Sequence, residues 1–377
     1  MRGTSGFAVA GCAAAAAAII LSACGGSGES GGDGSGDAPA KLELVDRLPA
    51  GRGHVELVRW ALPAGEPTTL DPMKAGASSE STVVANLCEH VLAVEPDFSV
   101  GPGLATRADW VDPRTFVIEL RRGVSFWDGA EMTADDVVWS LRRNLDPRAQ
   151  SIYSGVYANV ASIERSGPAQ VTIRFRAPDA QFRNAIAGPA GTVVERAYAE
   201  RAGRAFGTAA GGLSCTGPFK LVRWAPGEKI TLAANDRYWG EAPQVGTLEF
   251  RFLTDSSTLT SALVAGEVDG AFDAPVTSAA ALARATSGEL FVGPSTASLS
   301  FGPTTPDGPA ADPKVRAALD LAIDKQALVR VVLRGYGEPL KTFTAPLAWS
   351  GLPRERSTRP ATTRCRRRGT TWRRRSG

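Results

Sequence analysis

A chain of 377 residues with 43% apolar side chains is long enough for two domains with proper cores, and 21% charged residues exclude a disordered or coiled-coil composition. The net charge of +3 is unevenly spread: residues 351–377 carry ten Arg and one Glu, Arg2 sits at the start, and the body between is left at −7. An acidic body does not suggest a nucleic-acid partner, because neutralising phosphate needs Lys and Arg clustered on the folded surface.

Arg2 precedes an apolar segment, residues 7–21, that contains six consecutive alanines. Roughly 20 apolar residues are needed to span a bilayer, so this segment has the shape of a secretory signal. It ends in Leu21-Ser22-Ala23-Cys24, which looks like a bacterial lipobox, where the Cys is acylated and becomes the new N-terminus. The alternative, a buried helix with an incidental Cys, lacks both an amphipathic stripe and a cap. Residues 25–40 are Gly-, Ser- and Asp-rich and read as a tether. We expect a signal peptide at 1–23, lipidation at Cys24 and a flexible segment over 24–50.

Residues 54–62 alternate as a strand, with Val55, Leu57 and Trp60 facing a core. A loop with Leu70-Asp71-Pro72 leads to a helix over 81–92, its buried side formed by Val84, Leu87, Val91 and Leu92. Pro96-Asp97 turns the chain, and Gly101-Pro102-Gly103-Leu104-Ala105 precedes the best-defined stretch, residues 112–147. There Phe116, Ile118 and Leu120 share one side of a strand, Arg121-Arg122-Gly123 breaks it, and Val124 and Phe126 resume the alternation up to an Asp128-Gly129 turn with positive φ angles. Thr133 can accept from the N–H three residues on, and Asp135 and Asp136 favour the positive end of a helix dipole. Val137, Val138, Leu141 and Leu145 then make a helical stripe, closed by Asp146-Pro147.

Tyr153 and Tyr157 share a side if their segment is helical, and residues 171–175 form another strand. Pro226-Gly227 turns a hairpin whose strands lie in 216–221 and 230–232, followed by Asn235-Asp236-Arg237-Tyr238-Trp239-Gly240. After Leu263-Val264-Ala265-Gly266-Glu267-Val268-Asp269, Asp273 is placed either to accept from a ligand amine or to cap a helix near Val276, capping being the default. Residues 293–302 read as a strand, and 312–325 as a helix burying Val315, Leu319 and Ala322.

The ordered run Arg-x-Gly-Val-x-Phe-x-Asp-Gly over 121–129, followed by Thr133-Ala134-Asp135-Asp136-Val137, closely resembles the signature of family 5 extracellular solute-binding proteins, the peptide and nickel receptors of ABC importers. The Leu-Asp-Pro loop, the Pro-Gly-Leu-Ala, the hairpin with its Asn-x-x-Tyr-Trp and the 312–325 helix extend the similarity to about Pro346. The resemblance implies an α/β fold of the two-lobe periplasmic-binding-protein type with an extra N-terminal subdomain. It divides the chain into lobe I (51–80 and 216–295), an inserted subdomain (81–215) and the start of lobe II (296–348), incomplete here. It also implies a ligand site at Gly76, Ala77 and Ser78, at Tyr153, at Phe272, Asp273 and Ala274, and at Thr296, Ala297 and Ser298. Family members place an Asn after this last strand, where Gly302 stands.

Residues 349–377 have no apolar period. They read as a basic arm for nucleic acid or anionic lipid or, the reading we prefer, as an out-of-frame translation of a GC-rich gene that removes most of lobe II. Cys12 leaves with the signal and Cys365 lies in this tail, so Cys88 and Cys215 either pair, as export favours, or stay as two buried thiols. Cys88-Glu89-His90 makes a poor metal site, because adjacent residues point apart and His54 is the only other His. With no Gly-x-Ser-x-Gly elbow, His-Glu-x-x-His pair or phosphate loop, neither catalysis nor a cofactor is expected. The expectation is a monomeric, lipid-anchored receptor on the extracytoplasmic face of a bacterial membrane, capturing a peptide or other small solute for an ABC permease. An exported hydrolase and a structural surface lipoprotein are the alternatives.

Overall fold

The computed structural model describes residues 51, 53–293, 295, 297–300, 302–303, 305–340 and 345; Cys24, Thr296 and 349–377 lie outside them. The described part begins with β1 (Val55–Leu62), α1 (Ser78–Leu87) and a short hairpin of β2 (Leu92–Val94) and β3 (Val100–Pro102). Next come β4 (Ala105–Asp112), β5 (Thr115–Leu120), α2 (Ala134–Arg142), β6 (Val160–Gly167), β7 (Gln170–Phe175), α3 (Phe182–Ala185) and α4 (Arg196–Ala202). The chain continues through β8 (Phe219–Ala225), β9 (Lys229–Ala234), β10 (Val245–Phe252), α5 (Ser256–Ala265) and β11 (Gly270–Ala271). It then forms α6 (Ala279–Leu282), α7 (Pro313–Ala322) and α8 (Lys325–Val331).

These elements make a mixed α/β fold with two principal sheets, one of five strands in the order β11-β1-β10-β9-β8 and one antiparallel, in the order β4-β5-β7-β6. In the second sheet, Phe116, Ile118 and Leu120 of β5 are buried beside Val171, Ile173 and Phe175 of β7. Aromatic edges lock this layer: Phe182 meets Phe175 at 4.9 Å and Tyr157 at 5.5 Å between ring centroids. Gly123 and Gly129 adopt positive φ (+74° and +96°), whereas Asp128 serves its turn by accepting from the Ala130 N–H at 2.9 Å. A reciprocal cap starts α2: Thr133 Oγ1 accepts from the Asp136 N–H, and Asp136 Oδ2 accepts from the Thr133 N–H. Val137, Val138 and Leu141 are buried, but Leu145 is 38% exposed. The α-helix ends at Arg142 and the tighter 3-10 turn Arg143–Leu145 rotates Leu145 off the stripe.

In the first sheet, Val58, Trp60 and Leu62 face one core while Ala61 meets Leu259 and Ala262 of α5 on the other face. Val55 is 47% exposed, so the inward phase of β1 is set by Trp60 rather than by Val55 and Leu57, which lie on the opposite parity. The helix expected over 81–92 spans Ser78–Leu87 instead. Cys88 is extended, which lets it join Cys215 in a disulfide (Cα–Cα 5.0 Å) and lets His90 bridge Thr192. Val91 and Leu92 are buried, but in the core of the second sheet.

Three further expectations are corrected. Tyr153 and Tyr157 lie around a 3-10 turn, Ser154–Tyr157, rather than on an α-helical face. The described residues of 293–302 include no strand. Finally, α7 forms, with Asp312 accepting from the Lys314 N–H, but Val315, Leu319 and Ala322 are not buried; Leu319 is 47% exposed.

Candidate functional site

β1, β10 and β11 run parallel, and their register brings Leu62 level with Phe252 and Ala61 level with Ala271. The loops leaving these three strands therefore emerge from one carboxyl edge, the place where open α/β sheets leave a crevice for ligands. The loop after β1 is held at several points. Gly65, at φ +90°, passes close to Thr254 beyond β10. Glu66 accepts from Trp224 Nε1 (2.6 Å) and from the Gly227 N–H (2.9 Å), which joins the loop to the β8–β9 turn. Thr68 donates its N–H and its hydroxyl to Glu80 Oε1 on α1 (2.9 and 3.0 Å).

Asp71 is the deepest of these anchors. Its buried carboxylate takes both arms of the Arg143 guanidinium, at 3.0 and 2.6 Å, and Arg143 stacks over Trp139 (5.1 Å) and Phe206 (5.3 Å). The Asp71 carbonyl accepts from the N–H groups of Lys74 and Ala75. This turn delivers Gly76, Ala77 and Ser78 exposed at the start of α1, with Ala77 at the N-cap position and no side chain capping it.

The segment 151–153 is pinned to the same stretch. The Ile152 N–H donates to the Met73 carbonyl (3.1 Å) and the Tyr153 hydroxyl to the Ala75 carbonyl (3.3 Å). Tyr153 is half-buried, and desolvation pushes its phenol above the usual range. Tyr157, also considered, is fully buried and donates to the Ala190 carbonyl, so it is a core residue.

Phe272, Asp273 and Ala274 follow β11 at the same edge, with Phe272 64% exposed. Asp273 caps nothing: the turn Val276–Ser278 has Pro275 at its N-cap, without a side-chain bond. Asp273 instead adopts φ +58°, and among the described residues its carboxylate has no partner. Ala297 and Ser298 are exposed, and no hydrogen bond or ion pair joins them to Gly76, Tyr153 or Phe272 among the described residues. The structure thus brings 76–78 together with Tyr153 and sets 272–274 on the same edge. Ile152 and the Asp71–Arg143 pair were missed in the sequence; Leu70-Asp71-Pro72 marked the loop, but nothing local named a partner 72 residues away.

Elsewhere, the Glu89 carboxylate accepts from Thr216 Oγ1 (2.7 Å), Tyr238 OH (3.0 Å) and Trp239 Nε1 (3.0 Å). Burial raises its pKa against the lowering effect of those bonds and of Arg121. Next to it His90 Nδ1 pairs with Thr192 Oγ1 (2.9 Å), and burial lowers its pKa to about 4. Among the described residues no group of acids, His and Cys is gathered as a metal site.

Known proteins bear on this geometry. The model of the bacterial extracellular solute-binding proteins, family 5 Middle, matches residues 99–362, past the Pro346 limit read from motifs. The glutathione-binding protein GsiB of Salmonella choleraesuis is 32% identical over 283 residues, covering 74% of this chain and 54% of that protein. The chain thus spans about half the length of the curated relatives it matches. Among solved structures, the Escherichia coli murein tripeptide binding protein MppA superposes with a TM-score of 0.70 at 25% identity, over 77% of this chain and 60% of that one. The periplasmic binding protein DppA of Helicobacter pylori, in complex with the peptide STSA, shares the fold at a TM-score of 0.66 and 21% identity, over 78% and 62% of the two chains. On the family match over 99–362, the chain belongs to the bacterial extracellular solute-binding proteins of family 5.

Proposed function

We propose that this chain is the binding component of an ABC importer, capturing a peptide or other small solute outside the membrane and delivering it to the permease. The observation that supports this reading is the shared carboxyl edge of β1, β10 and β11, from which the loops leading to 76–78 and to 272–274 depart, in a member of this family. Relatives named for glutathione and a murein tripeptide, and one with a bound peptide, support a peptide-like solute. The function is capture rather than bond cleavage. Gly76, Ala77, Ser78, Tyr153, Phe272, Asp273, Ala274, Thr296, Ala297 and Ser298 line the site. Residues 51–80 and 216–295 are lobe I, 81–215 its inserted subdomain and 296–348 the start of the lobe that closes by hinge motion. A lipid on Cys24 holds the monomer at the extracytoplasmic face.

Thermal unfolding with short peptides tests the reading. A saturable rise, about 2.7 kcal/mol at a hundredfold excess over Kd, without turnover supports it; hydrolysis of the peptide, or no saturable shift, contradicts it. For the anchor, wild-type chain takes up radiolabelled fatty acid and sediments with membranes, and Cys24→Ser does neither; equal labelling of both removes the anchor.

A further inference from the structure

Ile152 sits directly on Gly76: its Cδ1 lies 2.6 Å from the point a Cβ on Gly76 would occupy, yet 55% of the residue is exposed. Its position is held from both sides, by its own N–H on the Met73 carbonyl and by the Tyr153 hydroxyl on the Ala75 carbonyl. The polar groups beside it are already engaged. Ser151 Oγ donates to Asn144 Oδ1 (2.6 Å) and accepts from the Tyr153 N–H (3.1 Å), and the Tyr153 hydroxyl donates its proton to the Ala75 carbonyl. Of three consecutive side chains, the most exposed is a branched hydrocarbon, and it can offer a ligand dispersion and desolvation but no hydrogen bond. Gly76 has an ordinary φ, and the end of Ile152 occupies the space that a Cβ there would take.

We propose that Ile152 is a specificity-determining residue of this site, selecting ligands that place an apolar group against the 73–78 segment. This rests on the reading that 76–78 line the ligand site. The assay is isothermal titration of the full chain with tri-leucine and tri-alanine. Wild type prefers tri-leucine by about tenfold or more, the worth of one or more methylenes at an apolar wall. Ile152→Ala removes most of that preference and leaves tri-alanine within about twofold, a change of under 0.5 kcal/mol. Gly76→Ala, which pushes the end of Ile152 aside, lowers the same preference.

Equal weakening of both peptides by Ile152→Ala overturns the proposal, because a mere support would act on every ligand alike. Ser78→Trp, which blocks the exposed start of α1, separates the two levels. If it abolishes both affinities while Ile152→Ala leaves the preference intact, only the role of Ile152 is lost. If it changes neither affinity, or if wild type binds neither peptide, the reading beneath is lost and this inference with it.

Discussion

Removing the carboxylate of Asp71 tests how the site loop is held. Asp71→Ala leaves the Arg143 guanidinium, whose side chain is 18% exposed, without either of its oxygen partners at 3.0 and 2.6 Å. Breaking one side of a buried ion pair costs about 3–5 kcal/mol, because the remaining charge stays desolvated and uncompensated. The stacking of Arg143 on Trp139 and Phe206 partly compensates the cation left behind, so the lower half of that range is expected. The double substitution Asp71→Leu with Arg143→Met takes out both charges at similar volume and should recover all but about 1 kcal/mol. Urea titration of the purified chain measures both, with the m-value checking that the unfolded state is unchanged. A cost below about 0.5 kcal/mol for Asp71→Ala, or a double variant no better than the single, refutes the reasoning.

Other outcomes follow from the same geometry. Cys88→Ala with Cys215→Ala opens a loop of 127 residues, worth about 5 kcal/mol of unfolded-state entropy, and lowers the urea midpoint in proportion; an unchanged midpoint contradicts it. Glu89→Ala strands the donors of Thr216, Tyr238 and Trp239 and costs about 3 kcal/mol or more, while Glu89→Gln, which keeps an acceptor, costs less. His90 titrates near 4 when folded and near 6.5 when unfolded, so the unfolded chain binds the extra proton between those values. Stability from this residue is complete above pH 6.5 and is lost as pH falls towards 4, by up to about 3 kcal/mol. His90→Asn flattens that slope in urea titrations across the window; an unchanged slope sets the idea aside. The raised pKa of Glu89 acts in the opposite sense, stabilising on acidification, so the His90 effect is read as the difference between variant and wild type.

Local order was legible wherever the determinants lie within a few residues. Phe116, Ile118 and Leu120 announced a strand by their period, Thr133 and Asp136 a helix start, and Pro226-Gly227 a hairpin, with Gly227 at φ +74°. The ordered spacing over 121–137 sufficed for the family, which the match over 99–362 then showed. Stripes were read correctly as helical but not always as buried: α7 has the period of an amphipathic helix, yet none of its residues is buried.

The tertiary structure decided what depends on distant residues meeting. It ended α1 at Leu87, because Cys88 and His90 have partners 127 and 102 residues away that demand extended backbone. It chose the inward phase of β1, since both faces near its carboxyl end are covered and a half-polar strand accepts either phase. It also joined Asp71 to Arg143 and Ile152 to Gly76, which fixed the Pro-rich loop to residues about 70 positions further along the chain. Periodicity and turn chemistry are set by neighbours along the chain, and these the sequence settles alone; pairings across a hundred residues depend on which surfaces the fold brings into contact, and no local pattern encodes them.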